Sequence, residues 1–254
     1  MNDKNLIPPF NRQGNKYNIK DKILILIPKS HSIYVELFLG SGAIFFNKEK
    51  AEINILNDLD KSLVDSLKLI KKTPISNFPK LDSLNDFKTF FTTSSLKKTQ
   101  DKILYYKIKN QSGYRSRPIK NEKGITHIFN IKKWLLNLSK WQSKLTNTII
   151  TNKDYEVLVK KYDTPTTFFF IDPPYENTHV DFGYAESKLF DFDRLARVLK
   201  KIKGKFLLTI NDSDNIRFLF KDFTIIENLV RNNWINKETE NKSKFRKELI
   251  IKNY

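Results

Sequence analysis

Short apolar strands alternate with helical stretches at both ends of this chain, and a long polar, basic stretch separates the two groups. Residues 34–39 (YVELFL) read as a buried strand running into Gly40-Ser41-Gly42, with a helix starting near Ala43. A second strand, 53–56, ends at Asn57-Asp58, and residues 62–71 repeat Leu63, Leu67 and Ile70 at helical spacing. Strand signals return at 148–151, 167–171, 205–210 and 224–229, separated by helical patterns at 154–162, 192–202 and 214–220. A last strand, 247–252, is expected to pair with 224–229 as a hairpin. Such alternation builds an α/β, Rossmann-like sheet with helices on both faces, and its interruption implies an insertion. Residues 1–74 and 146–254 are expected to form the sheet domain. Residues 75–145 are expected to form an inserted, mostly helical subdomain, with helices at 97–109 and 131–145 flanking a loop at 110–124.

The insertion also concentrates the charge. Between residues 97 and 133 stand eleven basic residues and two acids, which is half of the chain's formal excess of +18 in about one seventh of its length. Compositional bias would spread the excess more evenly, so this stretch points to a polyanionic partner, nucleic acid being the commonest. With 254 residues, 39% hydrophobic and 20 of them Phe, the chain has ample material for a core. Cysteine is absent, which removes disulfide scaffolds, cysteine-ligated metals and every thiolate nucleophile. No run is long and apolar enough for a membrane span or a signal peptide, so the expectation is a cytoplasmic protein with no membrane partner.

Two constellations can carry chemistry. Phe38-Leu39-Gly40-Ser41-Gly42 follows a strand and opens a helix, where glycines permit a tight turn and close approach of backbone to a ligand. Asp58, at the end of the next strand, stands where a carboxylate can accept both hydroxyls of a ribose. The full dinucleotide fingerprint and a phosphate-binding loop are both lacking, so a nucleoside-type ligand without pyrophosphate fits best. The second constellation is Asp172-Pro173-Pro174-Tyr175, straight after the apolar strand Phe168-Phe169-Phe170-Ile171. The prolines fix the backbone, and the acid projects at the edge of the sheet where ligands of open α/β folds bind. Tyr175 offers a flat ring. The set suits a planar base with an exocyclic amine, whose two N–H groups are accepted by Asp172 and the Pro173 carbonyl while the ring stacks.

The order of these motifs resembles the Dam-type, α-class group of DNA adenine-N6 methyltransferases, over nearly the whole chain. Residues 9–17 (PFNRQGNKY) resemble the group's opening cofactor motif, Glu36 to Gly42 its methionine-side loop, and Asn57-Asp58 its ribose acid. Asp154-Tyr155 sits where the group has an acid–aromatic pair at the cofactor's adenine. Asp172 to Tyr175 matches the catalytic motif, and residues 247–251 the closing strand. The resemblance implies a methyltransferase sheet that binds S-adenosylmethionine through Arg12, Lys16, Phe38, Gly40, Gly42, Asp58, Asp154, Tyr155 and Asp172, with no metal. The opening motif departs from the group's usual Trp-Ala-Gly-Gly-Lys: Arg12 replaces the tryptophan and Asn15 a glycine, while Lys16 remains.

The activity implied is methyl transfer to the N6 amine of adenine in duplex DNA. That lone pair is delocalised into the ring, so acceptors on its hydrogens favour a pyramidal, reactive nitrogen. A paired base cannot reach the pocket and must be flipped out. The insertion falls where this group keeps its target-recognition subdomain, and Tyr114, Arg115, Arg117, Lys120 and Lys123 are its candidate DNA contacts. A second basic cluster, Lys242, Lys244, Arg246 and Lys247, is either further backbone affinity or a solvated hairpin, and residues 181–184 are a candidate flap. The lack of cysteine excludes cytosine-C5 methylation. The partner implied is double-stranded DNA, and the sequence leaves open whether a cognate restriction endonuclease accompanies it. The alternatives are an RNA adenine methyltransferase and an inactive nucleic-acid-binding relative.

Overall fold

The computed structural model describes residues 5–12, 14–78, 134–176, 190–231 and 245–254. The expected helix at 97–109, the loop at 110–124 with its five candidate DNA contacts, the flap at 181–184, and Lys242 and Lys244 lie outside the described residues.

The strands are β1 (Ile33–Glu36), β2 (Ile53–Asn57), β3 (Thr148–Thr151), β4 (Thr167–Ile171), β5 (Lys205–Asn211), β6 (Thr224–Arg231) and β7 (Phe245–Lys252). They form a seven-stranded sheet in the order β3-β2-β1-β4-β5-β7-β6. β1 runs parallel to β2 and β4, and β4 to β5; β7 lies antiparallel between β5 and β6. The 224–229 and 247–252 stretches thus pair as expected. β4 is buried at all five positions, the unbroken apolar run required of a parallel strand covered on both faces.

The chain folds as two compact units. One comprises Asp21–Leu39, Ala51–Leu59 and Thr151–Tyr254. Its core joins Val35, Phe169, Ile171, Phe206 and Leu208 of the sheet to helices α5 (Tyr155–Tyr162), α6 (Phe192–Leu199) and α7 (Asp214–Leu219) through Leu158, Leu195 and Ile216. Side chains outside each helix, those of Asp154, Asp191 and Ser213, accept a first-turn N–H and so fix where it starts.

The other unit comprises Met1–Lys20, Gly40–Lys50 and Asp60–Ile150. It holds α2 (Ala43–Asn47), α3 (Lys61–Lys72, capped by Asp60) and α4 (Leu138–Leu145). Here the returning arm of the basic stretch grips the N-terminal segment. Trp134 and Trp141 donate their indole N–H to the carbonyls of Pro9 (2.6 Å) and Ile7 (2.9 Å). Gln142 donates to the carbonyls of Ile70 and Thr73 at the end of α3.

Three elements differ from expectation. β1 leaves the ladder at Glu36 rather than residue 39, because Leu39 turns its N–H onto the Asn57 carbonyl at 2.8 Å. A helix α1 (Lys20–Leu26) forms over a stretch that no sequence pattern marked. Within the helix sought at 131–145, residues 131–133 lie outside the described residues, 134–135 are helical, 136–137 form a turn, and the helix resumes as α4 at Leu138.

Candidate active site

The ladder register sets four side chains at one level beyond the carboxyl ends of the parallel strands. Glu36 of β1 faces both Leu56 of β2 and Phe170 of β4, so Phe38, Asp58 and Asp172 each stand two residues past a matched position. Ile171 faces Leu208 of β5, which puts Thr209 beside Asp172. Strands lie about 4.8 Å apart, so Asp58 and Asp172 flank the end of β1 at roughly 10 Å. The chain leaves β1 toward β2 and returns as β4 on the other side. That divergence is the switch point at which open α/β sheets bind ligands.

Asn57 holds this edge together. Buried at 1% exposure, it donates to the carbonyls of Leu37 (3.0 Å) and Lys153 (2.9 Å) and accepts from the Thr151 hydroxyl and the Lys153 N–H, both at 2.9 Å. All four hydrogen-bonding positions of the amide are thereby used. Asp58 follows on this fixed backbone. It is buried, with its own N–H on the Thr151 carbonyl and its carbonyl accepting from Asn152 at 2.7 Å.

At the catalytic motif, Thr209 donates its hydroxyl to Asp172 Oδ1 at 2.8 Å. Beyond the diproline, the Glu176 N–H reaches Asn211 Oδ1 at 2.8 Å, and its carboxylate accepts from Ser213 and Asn215. The loop is thus tied to the end of β5 and the start of α7. Tyr175 is half-buried, and burial, followed by the charges of Asp172 and Glu248, pushes its phenol well above the usual tyrosine value.

Asp154 and Tyr155 also meet at this edge. The Asp154 carboxylate caps α5 and is gripped by Arg194 of α6 through both oxygens, at 2.7 and 3.0 Å. The same guanidinium donates to Glu156 and lies 4.9 Å from the centre of the Tyr155 ring. That ring packs against Phe38 and Phe190 at 5.5 and 6.0 Å. Burial raises the Tyr155 phenol to about 12, and its buried oxygen has no hydrogen-bond partner among the described residues.

Four further candidates, Lys16, Arg12, Gly40 and Gly42, lie in the other unit. Lys16 is buried and donates to the Gly14 carbonyl at 3.1 Å. Arg12, standing in place of tryptophan, pairs with Asp60, the α3 cap. Gly40 and Gly42 have φ of +52° and +73°, which glycine adopts without strain, and a methyl group built on Gly40 would meet nothing within 4 Å. Arg246 of the second basic cluster is committed to Glu248 and Tyr175, while Lys247 is exposed. Phe45, Phe46, Phe168 and Phe170 are core.

Sequence reasoning missed Thr209, Arg194 and Glu176, and named Asn57 only beside Asp58, without its role in holding the edge. A hydroxyl within the apolar strand FLLTI was the one legible signal, since position 209 falls level with Asp172 only once the register is known.

A family profile described as D12 class N6 adenine-specific DNA methyltransferase matches residues 13–233. The Type II methyltransferase M.CviBI of Paramecium bursaria Chlorella virus NC1A is 26% identical over 253 residues, covering 90% of this chain and 92% of that protein. M.MjaIII of Methanocaldococcus jannaschii is 24% identical, covering 98% of this chain and 99% of its own. M1.LlaDCHI of Lactococcus lactis subsp. cremoris is 24% identical, with 88% of each covered.

Proposed function

The chain belongs to the D12 class of N6 adenine-specific DNA methyltransferases, and on that premise we propose that it transfers methyl directly, in line, to the N6 amine of an adenine flipped out of duplex DNA. The family implies S-adenosylmethionine as donor, and the residues present fit such a group. A buried acid, Asp58, suits a ribose diol, and the Phe38–Tyr155 ring pair suits an adenine face. When bound, the donor supplies a methyl on a positively charged sulfur, and no metal is needed.

The chain's own residues supply the rest. Asp172 accepts one N–H of the amine and the Pro173 carbonyl the other, which stabilises positive charge developing on nitrogen. Thr209 holds the Asp172 carboxylate in place, so that orientation is set before substrate arrives. Tyr175 stacks on the extruded ring. Lys16, Arg12, Gly40 and Gly42 are assigned to the donor by the motifs in which they stand. Asp154 contributes through its cap and its Arg194 pairing, sharing its carboxylate with the donor's adenine amine. Residues 75–145 form the target-recognition subdomain, with Tyr114, Arg115, Arg117, Lys120 and Lys123 meeting DNA. A cognate restriction endonuclease is the further partner of this reading.

The Thr209–Asp172 bond at the switch point carries the proposal. Its test is transfer of labelled methyl from S-adenosylmethionine to duplex DNA, with the modified base read by sequencing. Asp172→Ala is expected to abolish transfer while DNA binding persists. Equal transfer by the variant, or methyl found on RNA alone, would overturn it.

A further inference from the structure

The backbone around Tyr175 is fixed from both sides. Pro173 and Pro174 precede it with locked φ, and Glu176 follows with its N–H and carboxylate held by Asn211, Ser213 and Asn215.

Two residues of the closing strand act on the Tyr175 ring. Arg246 and Glu248 lie two apart on β7 and so share one face of the sheet. The Arg246 guanidinium stands 5.5 Å from the centre of the Tyr175 ring, within cation–π range, and Nη2 lies 2.7 Å from Glu248 Oε1. Glu248 is 1% exposed and neither of its oxygens is hydrogen-bonded among the described residues, so its charge depends on the Arg246 ion pair and on the nearby Tyr175 hydroxyl. Glu248 also faces Asn211 across the ladder, the residue that holds Glu176. The ion pair and the motif's anchor are therefore built on matched positions of adjacent strands.

We propose that Arg246 and Glu248 are positioning residues for Tyr175: the buried carboxylate fixes the guanidinium, and the guanidinium fixes the ring as a preformed stacking platform for the extruded base. The assignment rests on the methyltransferase activity proposed above and deepens it. It also separates Arg246 from its basic neighbours, since a guanidinium committed to a ring and a buried acid is not a phosphate contact.

The test compares single-turnover methyl transfer by the full chain and its variants on duplex DNA. Arg246→Met is expected to lower the transfer rate about tenfold, the equivalent of one cation–π contact at a partly desolvated site, with half-saturation by DNA and by donor within about twofold. Arg246→Lys, which keeps a cation, is expected to recover most of the rate. In a Tyr175→Leu background Arg246→Met should cost less than twofold, because the ring through which it acts is gone. The same tenfold loss in both backgrounds would overturn the proposal. So would weakened DNA binding with a salt slope lowered by about one, which would make Arg246 a phosphate contact. Thermal melts and donor calorimetry verify folding. Glu248→Gln is expected to lower the rate about as far as Arg246→Met, with an undiminished rate overturning its role; should it fail to fold, the Arg246 variants decide alone. A wild-type chain that methylates no duplex defeats the proposed activity itself, whereas an active wild type indifferent to Arg246→Met defeats only this inference.

Discussion

Single side chains at the sheet edge carry separable tasks. A hydrogen bond to a charged group is worth about 1.5–3 kcal/mol, so Thr209→Val is expected to slow methyl transfer roughly ten- to a hundredfold. Calorimetry should show donor affinity changed far less than the rate, since the hydroxyl bonds Asp172 alone among the residues assigned to the donor. Asp58→Ala should have the opposite profile, with weakened donor binding and DNA binding retained. Tyr155 gives a pH signature. Its folded pKa of about 12 lies above the ordinary value of 10.0, so the folded state holds the proton more tightly. Stability is full below pH 10 and is lost as pH rises from there through 12. Alkaline melts should lose part of that slope in Tyr155→Phe.

Elements place these residues through their ends. Asp191 starts α6 by accepting the Arg194 N–H at 2.7 Å, and Arg194 then reaches back to Asp154 and Glu156. Asp191→Ala should cost about 1 kcal/mol, visible as a lower melting temperature, with weaker donor binding as the clamp loosens. The turn into β5 is tighter. A methyl group on Gly204 would stand 2.7 Å from the Thr167 carbonyl and 3.0 Å from that of Thr164, both backbone atoms that cannot swing away. Gly204→Ala is expected to destabilise by about 1–3 kcal/mol in denaturant titration. Both effects belong to where a helix or strand begins, not to its composition.

At the scale of the whole molecule, the proposed DNA contacts of the basic stretch are tested through charge. Replacing Arg115 and Arg117 by Gln should weaken binding across all sequences and flatten its salt dependence by about one unit per phosphate contact removed, measured as affinity against ionic strength. The succession of strands, the hairpin of β6 and β7, the buried β4 and the diproline corner were all legible along the chain, because each depends on local periodicity or on proline's fixed geometry. So was the basic character of residues 97–133, which is plain counting. Register, however, is a property of pairs of strands. Only the folded sheet set Thr209 level with Asp172, closed all four hydrogen bonds of Asn57, and turned Arg246 from one lysine-rich stretch's neighbour into the partner of Glu248 and Tyr175. Sequence names the groups that can react; distances between residues far apart in the chain arise when strands align, and those distances decide which groups hold the others in place.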